Sequence, residues 1–341
     1  MRILLCDVEC ILKDTRYPLK DTFEDLGHRV DVFDWSYYFP RGSYPGVFYR
    51  INSRLFESLY ISKINKDLCS VVKKARYDLV LVLMGRYFYP ESVIELKRSV
   101  GCVVNWHSDD PFNRANSSRF LMQALPFYDM HFTPRPHLIP EYKKLGVSSI
   151  YPLGWYYRPS LIFSETSVLP SSYKFGISFV GSWSRYRENY LSKVFHLGGS
   201  VFGWGWKTHY SGTFRNYREH AHPAVSLTEM HDIFHNSAIN INILTRENRD
   251  VTNLRNFEIA AAMGFQLAER SDEVLRCFDE DTEIVCFSTV EELVDKCTFY
   301  LNNESPRRNI AMAGFRRVLR SDYTLSSRLK NIISKVRERL Q

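Results

Sequence analysis

Amide, acid and arginine residues gather in one stretch of this 341-residue chain, Thr252 to Arg270, TNLRNFEIAAAMGFQLAER. Its apolar period describes an amphipathic helix that follows a strand and loop, carries Glu258 in its first turns and stops at Gly264 before a buried strand. The backbone amides at a helix start have no partner within the helix and attract phosphate, and a carboxylate nearby can accept both hydroxyls of a ribose. That pairing suits a nucleoside diphosphate. Asn253 and Arg255 open the helix, so their amides and the Arg255 side chain can hold a phosphate. A helix cap and a surface arginine are the plain alternative. Arg185 and Arg187 lie between the run Gly176 to Val180 and the helix expected after it, where a guanidinium can pair bidentately with a diphosphate. Gly181 ends that run and lets the backbone approach a ligand closely. Trp204, in GWGW at another strand end, either faces the ligand or packs in the core.

A second set follows the run CVVNW: His107, Asp109 and Asp110. A histidine or carboxylate there can orient a hydroxyl or take its proton, while Asp110, before Pro111, is equally suited to capping the next helix. Other run ends place Asp34 with Trp35, and Gly85 with Arg86 and Tyr87. From Trp35 to Arg50, seven of sixteen residues are aromatic, Trp35, Tyr37 and Tyr38 among them. Such rings stack on sugar faces or simply pack against a core. His220, His222, His231 and His235 raise the question of a metal, since His231 and His235 share a helix face. The pattern offers no clear third ligand, so neither a metal nor a bound cofactor is expected.

These side chains need a scaffold that brings the ends of several strands together. Short apolar runs alternate with helical-period segments along the whole chain, as in parallel sheets covered by helices. In the first half the strands expected are 2–6, 29–33, 78–84, 102–106, 130–133 and 149–151, with a long helix over 51–75. The stretch 159–173 breaks the pattern and reads as a linker. A second series has strands at 176–180, 200–202, 239–244, 265–268 and 284–287, and helices at 189–195, 227–236, 254–263, 290–303 and 306–319. The expected organisation is thus α/β, with two Rossmann-like, doubly wound domains, 1–158 and 174–320, facing a cleft, and a basic helix over 321–341.

Apolar residues at 45% and charged residues at 24% exclude a disordered or fibrous chain. A net charge of +7 favours an anionic ligand or an anionic membrane surface, but the basic residues are too dispersed for a nucleic-acid wrapper. Seven cysteines without a Cys-x-x-Cys pair read as reduced core thiols of a cytoplasmic protein. The run MRILLCDVE is too short for a signal-peptide core, and no segment approaches the ~20 apolar residues of a membrane span. No Gly-x-Gly-x-x-Gly follows the first strand of either half and no Gly-Lys-Ser/Thr loop occurs, which removes dinucleotide oxidoreductases and phosphate-loop NTPases.

The block NLRNFEIAAAMGFQLAERSDEVLRCFDEDTEIVCFSTVEELVDKCTFYLNN, followed by RRNIAMAGFRRVL, resembles the nucleotide-binding domain of CgeB-like glycosyltransferases of the two-Rossmann GT-B fold. FVGSWSRYRENYL and VFGWGW extend the resemblance, and VVNWHSDDPF does so more weakly. It implies a donor-binding second domain and an acceptor-binding first domain. In related retaining enzymes two glutamates separated by seven residues contact the donor sugar and the ribose; the second falls on Glu258, and Asp250 occupies the first position. Arg187 matches the phosphate-pairing position, and the segment at Pro223 to Val225 that of base recognition.

The sequence therefore implies a glycosyltransferase that moves a sugar from a nucleoside diphosphate sugar to a hydroxyl of a glycan or glycoconjugate, metal-independent and retaining if Asp250 serves. His107, Asp109 and Asp250 are its catalytic candidates. Gly181, Arg187, Trp204, Asn253, Arg255 and Glu258 would bind the donor, and Trp35, Tyr37, Tyr38 and Arg86 the acceptor. The protein would be cytoplasmic, with at most peripheral membrane contact. A non-catalytic nucleotide- or sugar-binding protein and an enzyme glycosylating modified nucleic acid are the rival readings.

Overall fold

The chain's apolar runs are rich in Val, Ile and Leu without polar alternation, which suits strands covered on both faces. In the computed structural model, which describes residues 1–7, 19–39, 47–158, 162–164, 166–208 and 218–341, those runs build two parallel sheets. The chain divides into two units, Met1–Gly154 with Ser326–Gln341, and Trp155–Leu325.

In the first unit the strands are β1 (Arg2–Asp7), β2 (Arg29–Asp34), β3 (Leu79–Leu83), β4 (Cys102–Trp106), β5 (Met130–Thr133) and β6 (Ile150–Pro152). They lie in the order β2-β1-β3-β4-β5-β6, all parallel. Helices α1 (Leu19–Asp25), α2 (Val47–Lys74), α3 (Pro90–Ser99), α4 (Arg119–Ala124) and α5 (Ile139–Lys144) connect them. In register, Leu81 of β3 is opposite Leu5 of β1 and Val104 of β4, and all three are buried.

The second unit carries β7 (Phe175–Val180), β8 (Gly199–Phe202), β9 (Ala221–His222), β10 (Ser237–Asn242), β11 (Gln266–Glu269) and β12 (Val285–Phe287), in the order β12-β11-β10-β7-β8-β9. Its helices are α6 (Arg185–Leu191), α7 (Leu227–His235), α8 (Leu254–Ala261), α9 (Asp272–Cys277), α10 (Val290–Asn302) and α11 (Glu304–Arg320). Both sheets are doubly wound, as expected. Winding reverses between β1 and β3 in the first unit and between β7 and β10 in the second. Ligands of this architecture bind outside the carboxyl ends of the strands at such switch points.

Three expectations change. Helix α6 begins at Arg185 rather than at residue 189, because the Ser184 hydroxyl caps it by accepting the Arg187 N–H. Strand β10 starts and stops two residues early, at Ser237 and Asn242. The basic tail is not separate: α12 (Leu325–Leu340) buries Leu329, Ile332, Ile333 and Val336, and Ser326–Gln341 groups with the first unit. Among the described residues no helix is long and apolar enough to cross a membrane.

Candidate functional site

At the carboxyl edge of the second sheet, Arg187 occupies the first turn of α6 rather than the preceding loop. Its Nη1 donates to the Ser182 carbonyl beyond β7 at 3.0 Å, and its Nη2 donates to the Ile243 carbonyl beyond β10 at 3.0 Å and to the Thr245 hydroxyl at 2.8 Å. One guanidinium thus spans the switch point. These partners are two carbonyls and a hydroxyl, so the cation is fixed without being neutralised by a bonded carboxylate. Burial pushes its pKa down, and the field of Asp250 pulls the other way. The Arg187 Nε is buried and makes no hydrogen bond.

Asn253 is the N-cap of α8; its side chain accepts the Asn256 N–H, and the Asn256 side chain accepts the Asn253 N–H at 3.1 Å. The Asn253 amide also pairs with that of Asn242 at the end of β10. This reciprocal box fixes the helix start but leaves the N1 and N2 amides, those of Leu254 and Arg255, with no partner inside the helix. The loop before it is anchored too, since the Trp155 indole donates to the Thr252 carbonyl at 2.9 Å. Glu258 is 6% exposed and ion-pairs with Arg255. Arg255 does not reach out from the helix start as expected: it turns back to Glu258 and the Met230 sulfur, over the Phe234 ring. Asp250 lies in the loop between β10 and α8, its N–H donating to the Thr245 carbonyl at 3.1 Å.

Of the two tryptophans in GWGW, Trp206 is fully buried and donates to the Gly181 carbonyl, whereas Trp204 is 65% exposed. Gly203 between these strand ends is obligatory. Its φ is +152° and an added Cβ would lie 2.1 Å from the Gly181 carbonyl oxygen.

In the first unit, His107 is fully buried just past β4. Its Nδ1 lies 2.7 Å from the Asp109 carbonyl oxygen, which can only accept, so Nδ1 carries the proton and Nε2 is the bare nitrogen. That Nε2 is buried without a hydrogen-bond partner. Burial lowers the His107 pKa to about 4. Asp109 is half-buried, and Asp110 accepts the Phe112 N–H at 2.9 Å in a local turn; it does not cap the next helix, α4, whose N-cap is Ser118. Beyond β3, Met84 has φ +61°, costly for a side chain of this size, and Gly85 follows at +72°.

The acceptor candidates divide. Trp35 sits edge-on to Phe39 and Tyr87, and the Tyr38 hydroxyl donates to Asp67 at 3.0 Å. Both are packing residues here. Tyr37 is 57% exposed. Arg86 donates to the Ala115 carbonyl at 2.9 Å. Tyr44 lies outside the described residues.

The His231 and His235 rings both pack on Phe163, and His222 stacks on Phe202 at 4.5 Å. Among the described residues no three His, Cys, Asp or Glu side chains are grouped so as to hold a metal ion.

Glu269 escaped the sequence reading. It ends β11, is 4% exposed, and accepts from the Leu244 N–H at 2.9 Å, the Tyr186 hydroxyl at 2.7 Å and Arg246. It therefore ties the loop that holds Arg187 to the neighbouring strand. The only sequence signal was an acid closing an otherwise buried run.

Residues 179–334 match the Glycosyl transferase-like family model. No curated protein matches the chain. Among solved structures, sucrose-phosphate synthase from Thermosynechococcus elongatus has a TM-score of 0.68 at 12% identity, with 99% of this chain and 98% of that one covered. An alpha-glucosyltransferase in complex with UDP and a 13-mer DNA containing a HMU base gives 0.64 at 12% identity, with 99% of each chain covered. Anabaena HepE in complex with UDP-glucose gives 0.63 at 8% identity, with 99% and 100% covered. The two parallel sheets with flanking helices are those of the GT-B glycosyltransferases, and the segment 179–334 is glycosyl transferase-like.

Proposed function

We propose that this protein transfers a sugar from a nucleoside diphosphate sugar to a hydroxyl of a glycan or glycoconjugate, in the cytoplasm or at its membrane surface, as a CgeB-like enzyme. The observation that carries the reading is Arg187, a cation held across the β7/β10 switch point by carbonyls and a hydroxyl. Asn253 fixes the start of α8, whose first amides supply a second group of donors for a diphosphate. Glu258, further along the same helix, accepts the ribose hydroxyls, with Arg255 orienting it through their ion pair. Trp204 offers an exposed ring and Gly181 a close backbone approach to the donor.

In the reaction the bond from the anomeric carbon to the diphosphate breaks and one from that carbon to the acceptor oxygen forms. Negative charge grows on the departing diphosphate, and Arg187 with the α8 amides stabilises it more strongly in the transition state than in the ground state. These groups serve in place of a metal ion. In the retaining form, with Asp250 beside the donor sugar, the acceptor proton leaves with the phosphate oxygen. In the inverting form an acceptor-side base takes it, with Asp109, half-buried, the candidate whose side chain reaches the surface.

The test is a thermal-shift panel of nucleoside diphosphates and their sugars, followed by product detection. A bound ligand at 100 times its Kd should stabilise the protein by about 2.7 kcal/mol. No shift with any nucleotide would overturn the reading, and binding without transfer to any hydroxyl acceptor would favour a non-catalytic binder.

A further inference from the structure

Four side-chain amides meet at the start of α8. Asn242 ends β10, Gln266 begins β11, and Asn253 and Asn256 are the N-cap and N3 residues of the helix. The Gln266 Oε1 accepts from the Asn256 Nδ2 at 2.9 Å and from the Asn242 Nδ2 at 3.3 Å, and the Gln266 Nε2 donates to the Asn256 carbonyl at 3.1 Å. The Asn242 Nδ2 also donates to the Asn253 Oδ1 at 3.0 Å, and the Asn256 Oδ1 accepts from the Thr252 hydroxyl at 3.1 Å. Asn242, Asn256 and Gln266 are buried; of the four, Asn253 alone reaches the surface.

Burying three amides costs free energy that an apolar cluster would not, and the cost is offset only when the polar atoms are paired. None of these buried amide atoms lacks a partner. The network is also neutral throughout. An acid is the usual N3 partner in a capping box, and α7 has one, Glu229 with Ser226. In α8 both members are asparagine and the first turn has no acid, so no carboxylate sits on the positive end of its dipole. The same strand end serves the arginine: Ile243, next to Asn242, offers its carbonyl to the Arg187 Nη2. Arg187 and the α8 start are therefore referenced to one point of the sheet.

We propose that Asn242, Asn256 and above all Gln266 are positioning residues of the diphosphate site, holding the α8 start in register with Arg187 without lending it a negative charge; this rests on reading the carboxyl edge as a nucleoside diphosphate site. Gln266 touches no ligand. It orients Asn256, whose Oδ1 holds the Asn253 N–H at 3.1 Å, and it fixes Asn242, which holds the Asn253 side chain. Loss of Gln266 releases both supports of the N-cap at once.

The experiment measures melting temperature and, by calorimetry, the affinity for UDP, GDP and ADP, following whichever the parental protein binds most tightly. Gln266→Met keeps the volume and removes both donor and acceptor. Gln266→Glu, when protonated, repeats the whole pattern: its carbonyl oxygen accepts from Asn242 and Asn256 and its hydroxyl donates to the Asn256 carbonyl. Ser178→Ala is the control, removing a buried hydrogen bond to Asn240 in the same sheet that does not involve the α8 start. Affinity should weaken roughly 10-fold or more in Gln266→Met and stay parental in Ser178→Ala, although both melt earlier. Burial raises a carboxyl pKa, so the affinity of Gln266→Glu relative to the parental protein should be near parental at about pH 5 and fall roughly 10-fold or more by about pH 8. If Gln266→Met does not fold, this pH series decides alone. Parental affinity in Gln266→Met, or a ratio for Gln266→Glu that does not change with pH, would make the amides purely structural and overturn the proposal while leaving the nucleotide site intact. A parental protein that binds none of the three nucleotides would overturn the proposal together with the reading beneath it.

Discussion

Arg187 Nη2 donates to the Thr245 hydroxyl at 2.8 Å, joining α6 to the loop that follows β10. With its bonds to the Ser182 and Ile243 carbonyls, this closes a bridge over the point where the second sheet reverses its winding. A planar guanidinium can serve three acceptors beyond two different strands; an ammonium is a compact point charge without that reach.

The Arg187→Lys protein should therefore keep a positive charge yet lose the bridge. We expect kcat/KM to fall ~100-fold or more for Arg187→Lys and further for Arg187→Ala, on the scale of one lost oxyanion donor. Stability should fall by about 1–3 kcal/mol in both, since the Ile243 carbonyl loses a bond to a charged donor. Steady-state kinetics and urea melts on one preparation separate the two effects. Full activity in the lysine variant would remove Arg187 from the transition state.

Glu269 acts on the same loop from the other side, through the Leu244 N–H. In Glu269→Gln the amide oxygen can still accept from Leu244, but the ion pair with Arg246 is gone. Arg246 is 62% exposed and re-solvates readily, so only about 1–2 kcal/mol of stability should be lost. Nucleotide affinity should drop with it, because the loop that fixes Arg187 loosens. A variant with parental melting temperature and parental affinity would show that the carboxylate positions nothing.

Strands were the most legible part of this chain, because runs such as DLVLVL have a hydropathy signature that survives without partners. What sequence could not supply was the company each polar residue keeps. Glu269 is 83 residues from Tyr186 and 25 from Leu244, so nothing local distinguishes it from a surface acid. Trp204 and Trp206 stand two apart in a turn that has no periodicity, so nothing local marks Trp206, which donates to the Gly181 carbonyl, as buried and Trp204 as exposed. The aromatic stretch after Asp34 looked like a sugar platform, yet Trp35 and Tyr38 face Tyr87 and Asp67, far along the chain. Arg255 was placed at the right helix, but its rotamer was decided by Glu258, one turn further on.

Gly203→Ala isolates the contact between strand ends. The added methyl would meet backbone rather than a movable side chain, so the β7 and β8 loops must separate. We expect a loss of more than about 2 kcal/mol, from combined backbone strain and displacement. Because Trp206 donates to the same Gly181 carbonyl, its fluorescence should change in the folded variant. An unchanged melt and spectrum would contradict the close approach.

The final prediction concerns protons at the first sheet. His107 and His131 are both buried and both have pKa values lowered to about 4, chiefly by burial. The unfolded chain binds protons near pH 6.5, whereas the folded one resists them until about pH 4. The unfolded state thus carries more protons in this window, and stability rises with pH across it. The contribution is fully present above about pH 6.5 and is lost as pH falls toward 4, on the order of 3 kcal/mol for each histidine. His107→Gln should flatten part of that slope in urea melts, leaving the share due to His131. The Nε2 of that imidazole is bare but buried, so a role as proton acceptor requires it to become accessible, and it should then appear as a transfer rate that falls ~100-fold or more in His107→Gln while nucleotide affinity stays parental. A flattened stability profile with unchanged transfer would make His107 a buried structural residue and shift the proton to Asp109.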